Sequence, residues 1–158
     1  MCVNSHMPII KYCDLDAKLL FSVSMTPKDI SKIIRHWQEA SKHDMDVALS
    51  LFKTGKYDYC LFLCHLMLEK ILKAIVASVT KEHPPFTHNL LYLAGKANLE
   101  LTKVQIEELD KINKFNMEVR YPEDLKAMLG KVTREYAKKY FDISKELWKW
   151  FQNRLDQC

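Results

Sequence analysis

The sequence predicts an all-α protein, a four- to five-helix up-and-down antiparallel bundle. Only 3 Gly and 5 Pro occur in 158 residues, which argues against a turn-rich β fold and for long helices. No stretch alternates apolar and polar residues long enough to predict a strand, whereas apolar residues recur at helical spacing. The length is typical of a single domain with a substantial core. We expect residues 1–25 to form an irregular arm and residues 26–158 to form the bundle.

The first two predicted helices are long. Thr26 can cap a helix over residues 27–53, and Gly55 can end it in a left-handed conformation. The inward stripe of this helix is apolar except for a serine and a carboxylate, that of Asp44. The second helix, over residues 57–80, is apolar on nearly all sides, which predicts a central position in the bundle.

Three further helices are predicted from capping residues. Thr87 can cap a short third helix. Thr102 begins a capping-box pattern that predicts a fourth helix over residues 103–119. Thr133 can cap a final amphipathic helix over residues 134–155.

Charge and cysteine usage favour a reduced, cytoplasmic protein. The net charge of +4 permits contact with an anionic partner but falls short of a dedicated nucleic-acid binder. The five cysteines are odd in number and contain no C-x-x-C pair, which favours free thiols. No apolar run is long enough to span a membrane, and the first residues do not form a secretion signal.

Polar residues at regular spacing interrupt the second helix. His65, Glu69 and Lys73 are four residues apart, so they share one face and can contact one another in series. One interpretation is an exposed stripe of salt bridges, each contributing about 0.3–0.5 kcal/mol. The other is a stripe that lines a cleft or an interface, because the helix around it is apolar.

Asp44 and His88 are two further candidates. Because Asp44 faces inward, it should find a cation, and Lys73 and Arg120 are the candidate partners. The pair would be either structural or part of a catalytic site. His88 would either orient the turn over residues 85–90 or face the same cleft.

Metal and cofactor chemistry is not predicted. Cys60, Cys64 and His65 lie close together, but no second pair of ligands has zinc spacing, and cysteines in a core helix behave as small apolar groups. The chain contains no glycine-rich phosphate loop and no serine in a nucleophile elbow.

The stretch Arg120-Tyr121-Pro122 ends the fourth predicted helix. A residue before proline is pushed out of helical space, so the helix should stop near Tyr121. Arg120 would then suit the negative end of the helix, or the bend would aim both side chains at a site.

Taken in order, "GKYDYCLFLCHLMLEKILKAIV", "PPFTHNLLYLA" and "FN…RYPED" resemble the HEPN family, small all-α proteins of bacteria and archaea. The resemblance covers about residues 30–155. It implies a helical bundle that forms homodimers and is often encoded beside a minimal nucleotidyltransferase, as one half of a toxin–antitoxin pair. Several branches of the family are metal-independent ribonucleases that carry an arginine followed four to six residues later by a histidine.

The chain departs from that ribonuclease motif. Arg120 matches the arginine, but His88 is the last histidine in the sequence. The Arg-Tyr-Pro form resembles the branch for which nucleotide binding has been proposed, with Arg120 gripping a phosphate, Tyr121 stacking on a base and Lys73 adding charge. The resemblance thus implies a non-catalytic module that binds a nucleotide or RNA. The candidate ligand-binding residues are Arg120, Tyr121, Lys73, Glu69, His65, Asp44 and His88.

Two alternatives stay open. In the first alternative, the chain is a ribonuclease toxin in which Arg120 acts with His65 or His88 from another helix. Otherwise it is a structural homodimer whose polar cluster only specifies packing.

Overall fold

A computed structural model describes residues 25–118 and 132–158, and these residues form five helices and no strand. The helices are α1 (Pro27–Lys53), α2 (Tyr57–Thr80), α3 (Leu90–Lys96), α4 (Lys103–Glu118) and α5 (Arg134–Asp156). They confirm the predicted all-α bundle. None of these helices is long and apolar enough to cross a membrane.

The long helices begin and end where their capping residues predict. Thr26 and Asp29 form a reciprocal capping box at the start of α1, with the Asp29 amide donating to Thr26 Oγ1 at 3.2 Å. Gly55 has φ +76°, a left-handed conformation that glycine adopts without strain, and α1 ends there. The side chain of Thr133 accepts from the Tyr136 amide at 3.2 Å and caps α5.

The start of α3 corrects the sequence-based expectation. Asn89, and not Thr87, is the N-cap, and its Oδ1 accepts from the Tyr92 amide at 3.0 Å. Thr87 instead accepts from the Asn89 amide at 3.2 Å, just before the helix. Asn113 on α4 accepts from the Leu90 amide at 2.9 Å, so a contact from a distant helix helps to set where α3 begins.

The helix α2 lies at the centre of the bundle and packs against each of the other four described helices. This position confirms the expectation drawn from its apolar surface. Its side chains form most of the core together with buried leucines of α3, Leu109 and Ile112 of α4, and the inward face of α5. The buried residues of α5 are Ala137, Tyr140, Phe141, Ser144, Leu147, Phe151 and Leu155.

Ser41 joins three helices inside the bundle. It is fully buried on α1, and its hydroxyl donates to the backbone oxygen of Met67 on α2. The same hydroxyl accepts from Trp148 Nε1 on α5 at 2.7 Å. Since every polar atom in this bridge has a partner, a serine is accommodated in the core at little cost.

The cysteines of α2 serve packing. Cys60 and Cys64 are free and buried beside Ala48 and Phe141. A hydrogen bond with Cys60, followed by burial, raises the pKa of the Cys64 thiol well above its ordinary value. The thiol therefore stays protonated and behaves as a small apolar group.

Candidate functional site

Three polar side chains, those of Lys73, His65 and His88, meet at the carboxylate of Glu69, and we call these four residues the Glu69 cluster. Lys73 Nζ donates to Glu69 Oε1 at 2.7 Å. His88 Nδ1 lies 2.9 Å from Oε2, and His65 Nε2 lies 3.3 Å from the same oxygen. The four-residue spacing along α2 thus gives the expected series of contacts, and His88 joins it from the segment before α3.

The α2 part of this cluster is buried. The exposed fraction is 4% for Glu69, 7% for Lys73 and 0% for His65. The interpretation as an exposed stripe of salt bridges is therefore wrong, because the rest of the bundle covers this face of α2. Burying a carboxylate and an ammonium is tolerable here since each is paired with the other.

Trp37 on α1 completes the surroundings of Lys73. The ammonium lies 4.9 Å from the centroid of the indole ring, which is the geometry of a cation–π contact. Lys73 is thus held by a carboxylate from its own helix and by an aromatic face from the next one. Its charge is largely balanced before any ligand arrives.

The electrostatics of the cluster fix Glu69 as an anion. Burial by itself would raise its pKa, but the nearby nitrogens of His65, Lys73 and His88, together with the charge of Lys73, outweigh it. They lower the pKa of Glu69 to about 2. An ionised carboxylate only accepts hydrogen bonds, so the His88 nitrogen that faces it carries a proton.

The two histidines of the cluster differ in access to solvent. His65 is completely buried, and neither of its ring nitrogens has a hydrogen-bond partner among the described residues, although Nε2 lies 3.3 Å from Glu69 Oε2. The side chain of His88 is 48% exposed while its Nδ1 faces Glu69. His88 therefore contacts the polar stripe of α2, and the expectation that it faces a cleft stays a prediction. His88 is also the one histidine of the cluster that an external molecule could touch directly.

Asp44 does not join this cluster. It is 5% exposed, and its Oδ2 lies 2.6 Å from Lys70 Nζ, while His43 Nδ1 is 3.8 Å from Oδ1. Of the two candidate partners, Lys73 is wrong because it pairs with Glu69, and Arg120 lies outside the described residues. The pair Asp44–Lys70 is an ion pair between α1 and α2.

Arg120 and Tyr121 lie outside the described residues, as does Pro122, so the cleft expected between the second and fourth helices stays a prediction. The last described turns of α4 contribute two asparagines near that segment in sequence. Asn113 holds α3, whereas Asn116 is 4% exposed and its Oδ1 has no hydrogen-bond partner within residues 25–118 and 132–158.

A surface pocket lies beside Trp37, whose indole ring contacts Lys73 of the Glu69 cluster. Its volume is about 340 Å³, and we call it the Trp37 pocket, lined by Lys32, Ile33, His36, Trp37 and His83. Sequence reasoning identified neither Trp37 nor Lys70 as a site residue. Nothing in the spacing signals either role, because both depend on how α1 lies against α2. Within the described segments, no three His, Cys, Asp or Glu side chains are arranged to hold a metal ion.

Comparison with known proteins identifies a family and a similar fold for the helical bundle. A protein-family profile described as "HEPN domain" matches residues 34–155. Among solved structures, the chain is similar to the crystal structure of TT1696 from Thermus thermophilus, with 18% sequence identity and a TM-score of 0.64. That similarity covers 76% of this chain and 96% of the other, and at this identity it shows the fold alone. No curated protein sequence matches the chain.

Proposed function

Because the chain belongs to the HEPN domain family, we propose that it is a non-catalytic module that binds a nucleotide or nucleic acid. In this proposal it acts as a homodimer with a nucleotidyltransferase partner, in a toxin–antitoxin-like pair. The observation that carries the non-catalytic part is the absence of any histidine after His88. The arginine expected to work with a histidine four to six residues later, Arg120, has none.

Arg120 and Tyr121 would make the direct contacts to the ligand. A guanidinium binds a phosphate through two parallel hydrogen bonds, and a tyrosine ring stacks on a base. The Glu69 cluster would support these contacts by holding His88 in one orientation. Asp44 would act at a distance, since its pairing with Lys70 keeps α1 against α2.

Titration of ATP and of a short single-stranded RNA tests the ligand. We expect Arg120→Ala to weaken binding by about tenfold or more, because a charge-assisted contact to phosphate contributes about 1.5–3 kcal/mol. Arg154→Ala removes an exposed arginine from the end of α5 and is the matched control. Equal affinity of wild type and Arg120→Ala, or no binding by either, contradicts the proposal.

The assembly is tested separately. Light scattering should give about twice the chain mass of 18.6 kDa. A mass that stays at one chain over a range of concentrations contradicts the homodimer. Identification of the neighbouring gene tests the partner, and co-purification with the encoded nucleotidyltransferase is the expected result.

A second candidate, a metal-independent ribonuclease, is favoured by one observation. His88 Nδ1 lies 2.9 Å from the ionised Glu69, and a histidine oriented by a carboxylate is a common acid–base arrangement. In this case purified protein cleaves RNA in the presence of a chelator, and His88→Asn abolishes the cleavage. RNA that remains intact after long incubation with wild type rejects this candidate.

A further inference from the structure

Phe86 is the most exposed large apolar residue in the described part of the chain. Its exposed fraction is 108%, whereas the next, Val104, is 66% exposed. The phenyl ring therefore packs against nothing in its own chain. Single exposed apolar residues are common on protein surfaces, so exposure alone does not mark an interface. The backbone around Phe86 and the apolar pocket near it supply the further evidence.

The turn that carries Phe86 is held on both sides. Pro84 before it is buried, and the Thr87 amide after it donates to the Pro85 carbonyl at 2.9 Å. Two residues further on, His88 Nδ1 lies 2.9 Å from Glu69 Oε2. A side chain carried by an ordered backbone loses less entropy on binding than one on a free loop, so Phe86 is suited to insert into a preformed pocket.

The Trp37 pocket is apolar enough to receive such a ring. Most of its surface is carbon, and Ile33 supplies part of it. The indole already has Lys73 Nζ 4.9 Å from its centroid and His36 edge-on at 5.3 Å, so its polar contacts are made within the chain. An uncharged side chain fits these walls better than an ion, which would lose its hydration there. The volume of about 340 Å³ admits one aromatic side chain.

Phe86 and the pocket belong to one region of the surface. His83, which lines the pocket, precedes Phe86 by only three residues. A region that carries both a protruding side chain and an apolar pocket is self-complementary, so two copies related by a two-fold axis can use it twice. The exposed Lys32 and Glu82 add opposite charges to this region, so net charge does not oppose the approach of a second copy.

We propose that Phe86 of one copy inserts into the Trp37 pocket of a second copy, and that the two copies make this contact reciprocally about a two-fold axis. The inference rests on the homodimer of the proposed function and adds the surface through which the copies associate.

The contact accounts for part of the area that a dimer needs. An aromatic side chain buries about 150–250 Å², so the two Phe86 side chains and the walls that they cover amount to about 600–1,000 Å². Specific interfaces bury about 1,200–2,000 Å². We expect the remainder to come from apolar residues that flank this segment in sequence, Val79 and Tyr92, which are 37% and 48% exposed. Since Phe86 then supplies about half of the interface, its loss should be decisive.

Analytical ultracentrifugation of the full chain over a range of concentrations tests this. Wild type should reach about twice 18.6 kDa and no more. Phe86→Ser should raise the dimer dissociation constant at least about a hundredfold, because the contact is lost twice. Ile33→Glu should act alike, since it places a charge in the pocket wall, and Ile33 is partly exposed and outside the core clusters. Tyr59→Ser removes a 44% exposed aromatic side chain at the start of α2 and is the matched control, with no change expected.

Mixing the two variants tests the pairing itself. A pair of one Phe86→Ser copy and one Ile33→Glu copy keeps one intact contact, because the second copy still has Phe86 and the first still has the pocket. We expect the mixture to associate more tightly than either variant alone, measured by fluorescence anisotropy with a label at the amino terminus of one variant. A mixture that associates no better than its components overturns the pairing.

The remaining outcomes separate this inference from the homodimer on which it rests. A wild type that stays at one chain contradicts both. If wild type and Phe86→Ser dimerise equally, the homodimer stands and this inference is overturned, and loss of association in Tyr59→Ser would then place the interface on α2. Unchanged association of Phe86→Ser together with a lower unfolding midpoint of Ile33→Glu would assign the pocket to another segment of the same chain and also overturns the inference. A mass that grows beyond two copies contradicts the two-fold arrangement.

Discussion

Glu69 and Asp44 are two buried carboxylates on the facing helices α2 and α1, but they are neutralised in different ways. Glu69 receives Lys73 from its own helix and two histidine nitrogens, one of them on a half-exposed side chain. Asp44 receives one lysine from the opposite helix, and its second neighbour, His43, is 3.8 Å away. The first arrangement connects the core to the surface, and the second fastens two helices together.

The comparison teaches that burial alone does not define a site. Glu69 and Asp44 are 4% and 5% exposed, yet their partners differ: Lys73 is 7% exposed, whereas the side chain of Lys70 is 24% exposed. A partly exposed ammonium can turn to water when its partner is lost, but a buried one cannot. We therefore expect the two carboxylates to respond differently to the same substitution.

Glu69→Ala should have the largest effect. It leaves Lys73 buried without a counter-ion, so the free energy of unfolding should fall by about 3–5 kcal/mol, measured by urea denaturation. The double variant Glu69→Leu/Lys73→Met removes both charges and should recover most of this loss. A double variant as unstable as Glu69→Ala would show that packing, and not the unpaired charge, is responsible.

Lowering the pH should have the second largest effect, because it removes the stabilisation that the ionised Glu69 provides. Its folded pKa is about 2 against an ordinary value of 4.5, so the unfolded chain takes up the proton first as the pH falls. The stabilisation is complete above about pH 5.5 and is lost as the pH falls towards 2, up to about 3 kcal/mol. Unfolding free energies of wild type and Glu69→Gln should converge over this range. A difference that is constant with pH would contradict the lowered pKa.

Asp44→Asn should have a smaller effect, about 1–2 kcal/mol in the same urea assay. Lys70 can move its ammonium into water, and the amide keeps the shape of the carboxylate. Glu69→Gln is the matched substitution at the other site, and it should be clearly more destabilising at neutral pH. Equal losses would mean that the two carboxylates are equivalent.

Lys138→Ala should have the smallest effect. Its Nζ lies 2.6 Å from Asp142 Oδ2, the same distance as in the Asp44–Lys70 pair, but both side chains are more than half exposed. We expect a change in the free energy of unfolding below about 0.5 kcal/mol. A larger loss would show that distance, and not burial, governs the strength of these pairs.

The helices could be predicted from the sequence because their signals are local. Thr26, Gly55 and Thr133 act within one turn of the backbone, and the bounds of α1, α2 and α5 agree with the prediction within one residue. The exception is α3, where Asn113 from α4 takes the Leu90 amide and Asn89 becomes the cap. A residue distant in sequence thus helps to select Asn89 over Thr87 as the cap, which capping preferences alone do not decide.

In the candidate site, too, some contacts follow from local sequence spacing and others depend on how the helices pack. The sequence by itself determined that His65, Glu69 and Lys73 meet, because a four-residue spacing brings side chains together on any α-helix. Only the tertiary structure decided that they are buried, that His88 joins them, and that Lys70 rather than Lys73 reaches Asp44. Lys70 and Lys73 are almost one turn apart on one helix, so the choice between them depends on how α2 is rotated against α1. That rotation follows from the packing of the whole apolar surface of α2, which no local spacing encodes.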